Sequence, residues 1–246
     1  MDGKDLELLK FYRDLGVDYV LEDDKQIKGK EKVMEHEYML PSDWVVEAKK
    51  IAGRCANVKE LKKVVESFDG CEVKVMATNT VFADGNPQAK IMLIGEAPGM
   101  NEDLKGIPFC GASGDLLDKM LAAIELDRTK VYISNTMFWR PPGNRRPTDL
   151  ELEMCRPFVE KHIALVLPKI LVLVGGTATY SLLNQTKSIS RLRGQFHTYT
   201  NQYLDTEITT MVIFHPAYLL RQPMQKRLAW QDLKQIKEYI DSNITL

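Results

Sequence analysis

The spacing of apolar residues divides the chain into two parts. Residues 3–16 repeat apolar side chains at helical intervals within charged sequence, which predicts an amphipathic helix. Residues 43–66 also follow a helical pattern, which a break at Gly53 could divide. The charged stretch between them, 22–37, is predicted to be a loop. We therefore predict a helical extension over residues 1–66, followed by a principal domain over residues 67–246.

From residue 90 onward, short apolar runs alternate with longer stretches of helical periodicity. Strands that read as continuous apolar runs and are separated by helices are typical of a parallel sheet buried on both faces. We therefore predict an α/β fold built on four parallel strands. The predicted strands are Ile91–Ile94, Val131–Ile133, Ile170–Val174 and Met211–Phe214, and the predicted helices are 114–125, 149–167, 177–184 and 226–240.

Several residues with useful chemistry follow these strands directly. Ligands of such sheets bind beyond the carboxyl ends of the strands. Glu96, Asn135 and His215 each lie just past a predicted strand, and so does the segment Gly175-Gly176-Thr177. Each has an ordinary structural explanation, as a helix-capping acid, a turn amide or a loop histidine. Their occurrence at the ends of strands in one sheet nevertheless favours a common site.

A carboxylate, an amide and an imidazole suit cleavage of a bond whose leaving group becomes an anion. The amide of Asn135 offers a donor and an acceptor to a planar heterocycle. The imidazole of His215 can donate a hydrogen bond to a developing oxyanion. The carboxylate of Glu96 can orient a water molecule. Phe109 is available to stack on the heterocycle, although packing in the core would explain it equally well.

Composition and charge exclude several classes of protein. The 246 residues are 44% hydrophobic and 27% charged, which excludes a disordered or collagen-like chain. No apolar run approaches the length of a membrane helix, and the acidic N-terminus does not resemble a signal peptide. The four cysteines are widely spaced and are interpreted as reduced thiols. We expect a cytoplasmic monomer with no membrane partner.

The net charge of −1 conceals an uneven distribution. The interval 140–227 holds 12 basic and 6 acidic residues, a local excess of six positive charges. A local basic field can attract a polyanion even when the whole chain is neutral, although chance would also produce such an excess. The arginines of this interval lie mostly in turn-like sequence, where cations can meet phosphates.

Four segments together closely resemble the motifs of family 4 uracil-DNA glycosylases, over about residues 68–240. These segments are Gly95-Glu96-Ala97-Pro98-Gly99 with Glu102-Asp103, Gly106-Ile107-Pro108-Phe109-Cys110-Gly111, Asn135 with Arg140-Pro141-Pro142-Gly143-Asn144-Arg145, and His215-Pro216-Ala217-Tyr218-Leu219-Leu220-Arg221. The resemblance implies a three-layer α/β/α sandwich with a central four-stranded parallel sheet. It also implies a base-excision repair enzyme that releases uracil from uracil-containing DNA and leaves an abasic site. No lysine occupies a motif position, so we expect hydrolysis without strand cleavage.

The resemblance assigns roles in the reaction to three residues. It implies that Glu96 positions the hydrolytic water and that Asn135 reads the edge of the uracil. It further implies that His215 donates a hydrogen bond to uracil O2 as negative charge develops there.

Other motif residues are expected to shape the pocket. The resemblance implies that Phe109 stacks on the base and that Glu102 guards the pocket near uracil C5. Backbone around Gly95 and Ala97 is expected to line the same pocket.

A third group of motif residues is expected to engage DNA. Leu219 matches the position of an apolar wedge that occupies the space left by a flipped nucleotide. Arg221 is expected to support that wedge or to contact phosphate. Arg140, Asn144 and Arg145 lie in a loop expected to attract the phosphate backbone.

The chain departs from the family in its cysteines. Family 4 enzymes usually bind an iron–sulfur cluster through four cysteines. Cys71 and Cys155 match two of these positions, whereas Phe68 and Trp139 occupy the other two. Two thiolates cannot supply the set of four, so we predict no cofactor and no metal, with the two aromatic rings filling the space. In the alternative, Cys55 would serve as a replacement ligand, which still leaves the set one short.

Three other interpretations remain open from the sequence. The protein could bind uracil-containing DNA without turnover, although that would require a damaged site. It could be an unrelated enzyme that acts on a small phosphorylated or nucleoside substrate, with a phosphate held at Gly175-Gly176-Thr177, but the chain contains no complete nucleotide-binding fingerprint. Residues 1–66 could be a docking extension.

A related subgroup of the family traps uracil covalently on a histidine. The corresponding stretch here, 143–148, contains no histidine, which predicts turnover.

Overall fold

The computed structural model describes residues 40–245. The predicted helix at 3–16 and the predicted loop at 22–37 lie outside the described residues. The helical pattern predicted over 43–66 forms two helices, because the chain turns between Arg54 and Val58.

A six-stranded sheet runs through the centre of the described chain. Its four central strands, in the spatial order β3-β2-β4-β6, are parallel, which confirms the predicted parallel core. The sheet is larger than the four predicted strands, since β1 and β5 add antiparallel edges next to β3 and β6. The strands are β1 (Asp84–Gly85), β2 (Ile91–Gly95), β3 (Tyr132–Asn135), β4 (Ile170–Val174), β5 (Phe196–Tyr199) and β6 (Ile208–Ile213).

The edge strands escaped prediction for a physical reason. β1 has two residues, and β5 leaves most of its side chains at least partly exposed, so neither forms a continuous apolar run. Exposure of one face is normal for strands at the edge of a sheet, whereas all residues of β2 and β4 are buried.

Helices cover both faces of the sheet and produce the expected α/β/α sandwich. Alternate residues of each central strand point to opposite faces: Met92 and Ile94 join one apolar cluster, whereas Ile91 and Leu93 join the other. The helices are α1 (Pro41–Arg54), α2 (Val58–Ser67), α3 (Val73–Met76), α4 (Met100–Lys105), α5 (Ala112–Ala122), α6 (Asp149–Val166), α7 (Gly176–Leu183), α8 (Ile189–Leu192), α9 (Pro216–Arg221) and α10 (Lys226–Asn243).

Helices α1 and α2 belong to the same apolar cluster as one face of the sheet. Ala48 and Ala52 of α1 are fully buried, and so are Leu61 and Val65 of α2. All four join the cluster that contains Phe158 of α6. A separate extension over residues 1–66 stays a prediction, but its described helices pack as part of the sandwich. No helix between residues 40 and 245 has both the length and the apolar character that crossing a membrane requires.

Candidate active site

A cleft of about 580 Å³ opens at the carboxyl ends of the parallel strands. Strand register brings its parts together, since Gly95 at the end of β2 pairs with Asn135 at the end of β3. His215 follows β6 two positions after its last residue, Ile213. The cleft is lined by Glu96, Ala97, Gly99, Glu102, Phe109, Ser113, Asn135, Asn144, Arg146, His215, Ala217, Tyr218 and Arg221.

Gly95 allows two of these side chains to approach the backbone closely. A Cβ at position 95 would lie 2.4 Å from Oδ1 of Asn135 and 2.5 Å from Cζ of Phe109. Both distances are far below van der Waals contact, so only glycine fits without displacing the amide or the ring. Gly95 therefore lies beneath the cleft as a close-packing position, consistent with its predicted place near the substrate.

Phe109 presents its ring to the cleft from an unusual backbone conformation. Its φ is +52°, in the left-handed region that a phenylalanine rarely adopts. The guanidinium of Arg128 donates to the carbonyl oxygens of Pro108 and Phe109 and also pairs with Asp84 and Asp118. These contacts hold the loop in place. As a result, the Phe109 ring stacks against the His215 ring, with centroids 5.4 Å apart and planes 28° apart.

The structure fixes the protonation of the His215 ring. The backbone N–H of Ala217 donates to Nδ1 of His215 at 3.1 Å, so this nitrogen accepts and carries no proton. Burial lowers the pKa of His215 below its ordinary value, and Glu96 only partly opposes that effect. The neutral ring therefore carries its single N–H on Nε2, which makes it a hydrogen-bond donor without a positive charge.

The carboxylate of Glu96 is held by a neighbour from another strand end. The hydroxyl of Thr177, at the start of α7, donates to Oε2 of Glu96 at 2.5 Å. The same hydroxyl accepts from Nε of Arg146 at 3.0 Å. No side chain or amide among residues 40–245 donates to Oε1 of Glu96, so this second oxygen is available to the cleft.

The side-chain amide of Asn135 has no partner among the described residues and is available to a ligand in the cleft. Asn135 is 2% exposed, yet its side-chain amide forms no hydrogen bond with any residue in the described range. Fully buried polar atoms normally have a hydrogen-bond partner, and the unpaired amide atoms of Asn135 are not fully buried. The unpaired amide therefore reaches the cleft.

Glu102 lines the cleft, but its carboxylate is occupied by backbone. Oε1 accepts from the amides of Cys110 and Gly111, and Oε2 accepts from the amide of Gly99. These bonds tie the start of α4 to the loop that carries Phe109. The contacts favour a structural role in the wall of the cleft over the guarding role that the motif implied.

Some of the predicted DNA-binding residues are exposed at the cleft, whereas others are paired within the protein. Asn144 and Arg221 are exposed and line the cleft. Nε of Arg140 donates to Oδ1 of Asn144 at 2.6 Å. Arg145 instead makes a two-point ion pair with Glu151 in the first turn of α6, so its guanidinium supports the loop.

The burial of Leu219 argues against its predicted role as the wedge. Leu219 is 1% exposed and packs in the apolar cluster between the sheet and α5, so it cannot enter DNA without unpacking the core. The reason is helical geometry, because α9 turns Leu219 inward and its neighbour Leu220 outward. Leu220 is 43% exposed, and Met224 beyond the helix is 87% exposed.

The residues present do not form the four-cysteine set of an iron–sulfur cluster. Cys71 and Cys155 are both buried in the same apolar cluster. Phe68 packs edge to face on Phe158 at 4.9 Å, and Trp139 is 1% exposed with its indole N–H bonded to Thr80. Within residues 40–245, no group of three or more potential ligand side chains is arranged to hold a metal ion. Cys55 therefore does not complete a set with this pair.

Five lining residues were not assigned to the pocket from the sequence: Gly99, Ser113, Arg146, Ala217 and Tyr218. Thr177 does not line the cleft but contacts it through Glu96. A signal for Thr177 was present, since it follows β4 just as Asn135 and His215 follow their strands. Nothing in the sequence indicated that its hydroxyl would meet a carboxylate 81 positions away.

Comparison with known proteins adds independent findings. The model of the uracil DNA glycosylase superfamily matches residues 82–234. The type-4 uracil-DNA glycosylase of Sulfurisphaera tokodaii is 36% identical over 187 residues, which cover 74% of this chain and 84% of the relative. The type-4 uracil-DNA glycosylase of Archaeoglobus fulgidus is 36% identical over 74% of this chain and 92% of its own. The type-4 uracil-DNA glycosylase of Thermotoga maritima is 34% identical over 72% of this chain and 91% of its own.

Proposed function

The chain belongs to the uracil DNA glycosylase superfamily, and we propose that it hydrolyses the N-glycosidic bond of deoxyuridine in DNA. The products are free uracil and an abasic site, the first step of base-excision repair. One observation carries the proposal: Glu96, Asn135, His215 and Phe109 line a single cleft at the ends of three parallel strands. A nucleotide must leave the duplex to enter such a cleft.

Recognition of uracil depends on a flat slot and one amide. The ring of Phe109 offers a stacking surface, and Gly95 leaves the space that the ring and Asn135 need. The free amide of Asn135 can accept from uracil N3–H and donate to O4. Cytosine presents the opposite donor and acceptor pattern at these two positions, so the same amide orientation discriminates against it.

His215 stabilises the leaving group. When the glycosidic bond breaks, its electron pair moves to the uracil ring, and negative charge develops on O2. The neutral His215 ring donates through Nε2 to this oxygen, and its Nδ1 is held by Ala217. A donor that is oriented before the reaction has little reorganisation to undergo as charge appears.

Glu96 completes the hydrolysis. With Oε2 held by Thr177, the free oxygen Oε1 can accept a hydrogen bond from a water molecule and orient it toward C1′ of the sugar. The negative carboxylate also stabilises the positive charge that develops on the sugar ring. The water oxygen bonds to C1′, and its proton passes to the carboxylate. No lysine lies among the lining residues, which supports hydrolysis without a Schiff base or strand cleavage.

DNA would be held by the exposed polar residues around the cleft mouth. Arg221 and Asn144 line the mouth, and Arg140 orients Asn144. Such contacts are sensitive to salt because they release counterions from the phosphates. Leu220 takes the role of wedge first given to Leu219, since it is the exposed leucine beside Arg221. A monomeric state and a cytoplasmic location stay predictions.

We propose further that the enzyme works without an iron–sulfur cluster. Support comes from Phe68 and Trp139, whose buried rings occupy two of the positions where the family motif has cysteines. Trp44 of α1 adds to this packing, edge to face on Phe68 at 5.5 Å. Iron analysis of protein purified without oxygen is expected to find substoichiometric iron. Four iron atoms per chain would overturn this proposal but leave the glycosylase activity open.

The activity itself is tested with a labelled oligonucleotide that contains one uracil. Alkali treatment after incubation is expected to cut the strand at that position, whereas samples without alkali stay intact. The variants Glu96→Ala and His215→Ala serve as matched controls and should retain DNA binding. A wild-type protein that leaves the uracil strand uncut after alkali would refute the proposal.

A further inference from the structure

Glu96 is the end of a short hydrogen-bonded chain that begins at the cleft rim. Arg146 lies in the loop between β3 and α6, Thr177 begins α7, and Glu96 follows β2. Nε of Arg146 donates to the Thr177 hydroxyl, and that hydroxyl donates to Oε2 of Glu96. Three separate parts of the polypeptide are therefore linked through the Thr177 hydroxyl.

The direction of each hydrogen bond in this series follows from which atoms can donate. Nε of an arginine can only donate, so the Thr177 oxygen must accept from it. The one proton of that hydroxyl is then free to point at Glu96, and Oε2 can only accept while the carboxylate is ionised. Thr177 is 3% exposed, so water does not compete strongly for its hydroxyl.

Arg146 also connects the carboxylate to the surface where DNA would pass. It lines both the first cleft and a second one of about 680 Å³, which Thr148, Thr186, Lys187 and Ser188 also line. Its terminal guanidinium nitrogens make no hydrogen bond to any residue between 40 and 245. They are therefore available to a phosphate while Nε stays on Thr177.

From this geometry, and on the basis of the glycosylase activity proposed above, we infer that Arg146 and Thr177 are positioning residues that orient the Glu96 carboxylate for attack by water. Thr177 fixes Oε2 and leaves Oε1 for the water. Arg146 fixes the hydroxyl proton of Thr177, and its contact with a DNA phosphate would steady this arrangement when substrate is bound.

The test compares Thr177→Val, which keeps the shape but loses the hydroxyl, with Thr177→Ser, which keeps the hydroxyl. Uracil release is measured in a single turnover at saturating DNA. Thr177→Val is expected to slow the reaction about 10- to 100-fold, the effect of losing one hydrogen bond to a charged group. Thr177→Ser should stay near the wild-type rate, and neither variant should change the Kd for DNA.

The Glu96→Ala background separates positioning from a general structural effect. If Thr177 acts through Glu96, then Thr177→Val should not slow Glu96→Ala any further. Arg146→Ala should weaken DNA binding in both backgrounds but slow the chemical step only when Glu96 is present. Equal slowing by Thr177→Val in both backgrounds, or a wild-type rate for Thr177→Val, would overturn the inference. An inactive wild-type protein would instead overturn the proposed function itself, together with this role for Thr177.

Discussion

The backbone amide of Ala217 donates a hydrogen bond to Nδ1 of His215, and this contact defines which nitrogen of the ring can act as a donor. Ala217 lies in the first turn of α9, where backbone amides lack partners within the helix. His215 thus caps the helix and, for the same reason, is oriented for the reaction. Capping of the helix by this histidine and its proposed role in the cleft are therefore compatible.

The first prediction concerns His215 and pH. Burial lowers the pKa of this histidine, so the neutral donor form persists below the pH at which a free histidine becomes charged. For His215→Ala we expect a loss of about 100- to 1000-fold in the single-turnover rate, the usual effect of removing one oriented donor. In the wild-type protein, any fall in rate that protonation of this ring causes should be centred below the ordinary histidine pKa, because burial lowers the pKa of the folded ring.

Single-turnover rates measured across the neutral and mildly acidic range, at constant ionic strength, check the pH dependence. Circular dichroism at each pH provides the control for unfolding. A decline centred at or above the ordinary histidine pKa of about 6.5 would contradict a depressed value for His215.

The second prediction concerns the close packing at Gly95. The methyl group of Gly95→Ala would collide with the Asn135 amide and the Phe109 ring, and both side chains are proposed to hold the base. We expect kcat/KM for uracil release to fall at least about 10-fold, since a misplaced contact of this size typically costs that much or more. A double-stranded oligonucleotide with one uracil is the appropriate substrate.

Gly53→Ala is the matched control for this substitution. Gly53 lies in α1, where the nearest atom to a new Cβ is Cε1 of Tyr203 at 3.8 Å, an ordinary contact. This variant should retain full activity and gain up to about 1 kcal/mol in stability from better helix propensity. Wild-type kcat/KM for Gly95→Ala would show that the base does not lie against this glycine.

The third prediction tests the packing of Trp139 in the apolar core. Trp139 is almost fully buried, and its removal would leave a large cavity beside Phe138 and the indole's partner, Thr80. Trp139→Ala is therefore expected to lower the free energy of unfolding by about 3–5 kcal/mol. Urea unfolding followed by circular dichroism measures the change.

Trp230→Ala provides the comparison, because Trp230 is 44% exposed on α10. Its removal should change the free energy of unfolding by no more than about 0.5 kcal/mol. If both tryptophan variants were equally stable, Trp139 would not be the structural element that fills this part of the core.

The parallel strands and the residues at their ends were predictable from the sequence, because strands that are buried on both faces form uninterrupted apolar runs. Ile91–Ile94 and Ile170–Val174 are uninterrupted apolar runs. Glu96, after the first run, lines the cleft, and Thr177, after the second, hydrogen-bonds to Glu96. Edge strand β5 forms no such run, because its exposed face accommodates polar side chains. The bond between Thr177 and Glu96 was also unpredictable, since side-chain direction at the start of a helix depends on how that helix docks.

The last prediction separates two adjacent leucines of α9. Leu219 packs in the core, whereas Leu220 is 43% exposed next to Arg221 at the cleft mouth. Leu219→Ala should lower the free energy of unfolding by about 2–5 kcal/mol, as for other buried leucines. Leu220→Ala should leave stability nearly unchanged but slow uracil release from duplex DNA, because an apolar side chain no longer fills the gap in the base stack.

Single-stranded DNA has no stack to hold open, so Leu220→Ala should act on it at nearly the wild-type rate. The ratio of duplex to single-strand rates, measured for both variants, therefore identifies the wedge. If the ratio fell for Leu219→Ala while that variant stayed folded, and did not fall for Leu220→Ala, the helix would have to rotate on DNA and expose Leu219 after all.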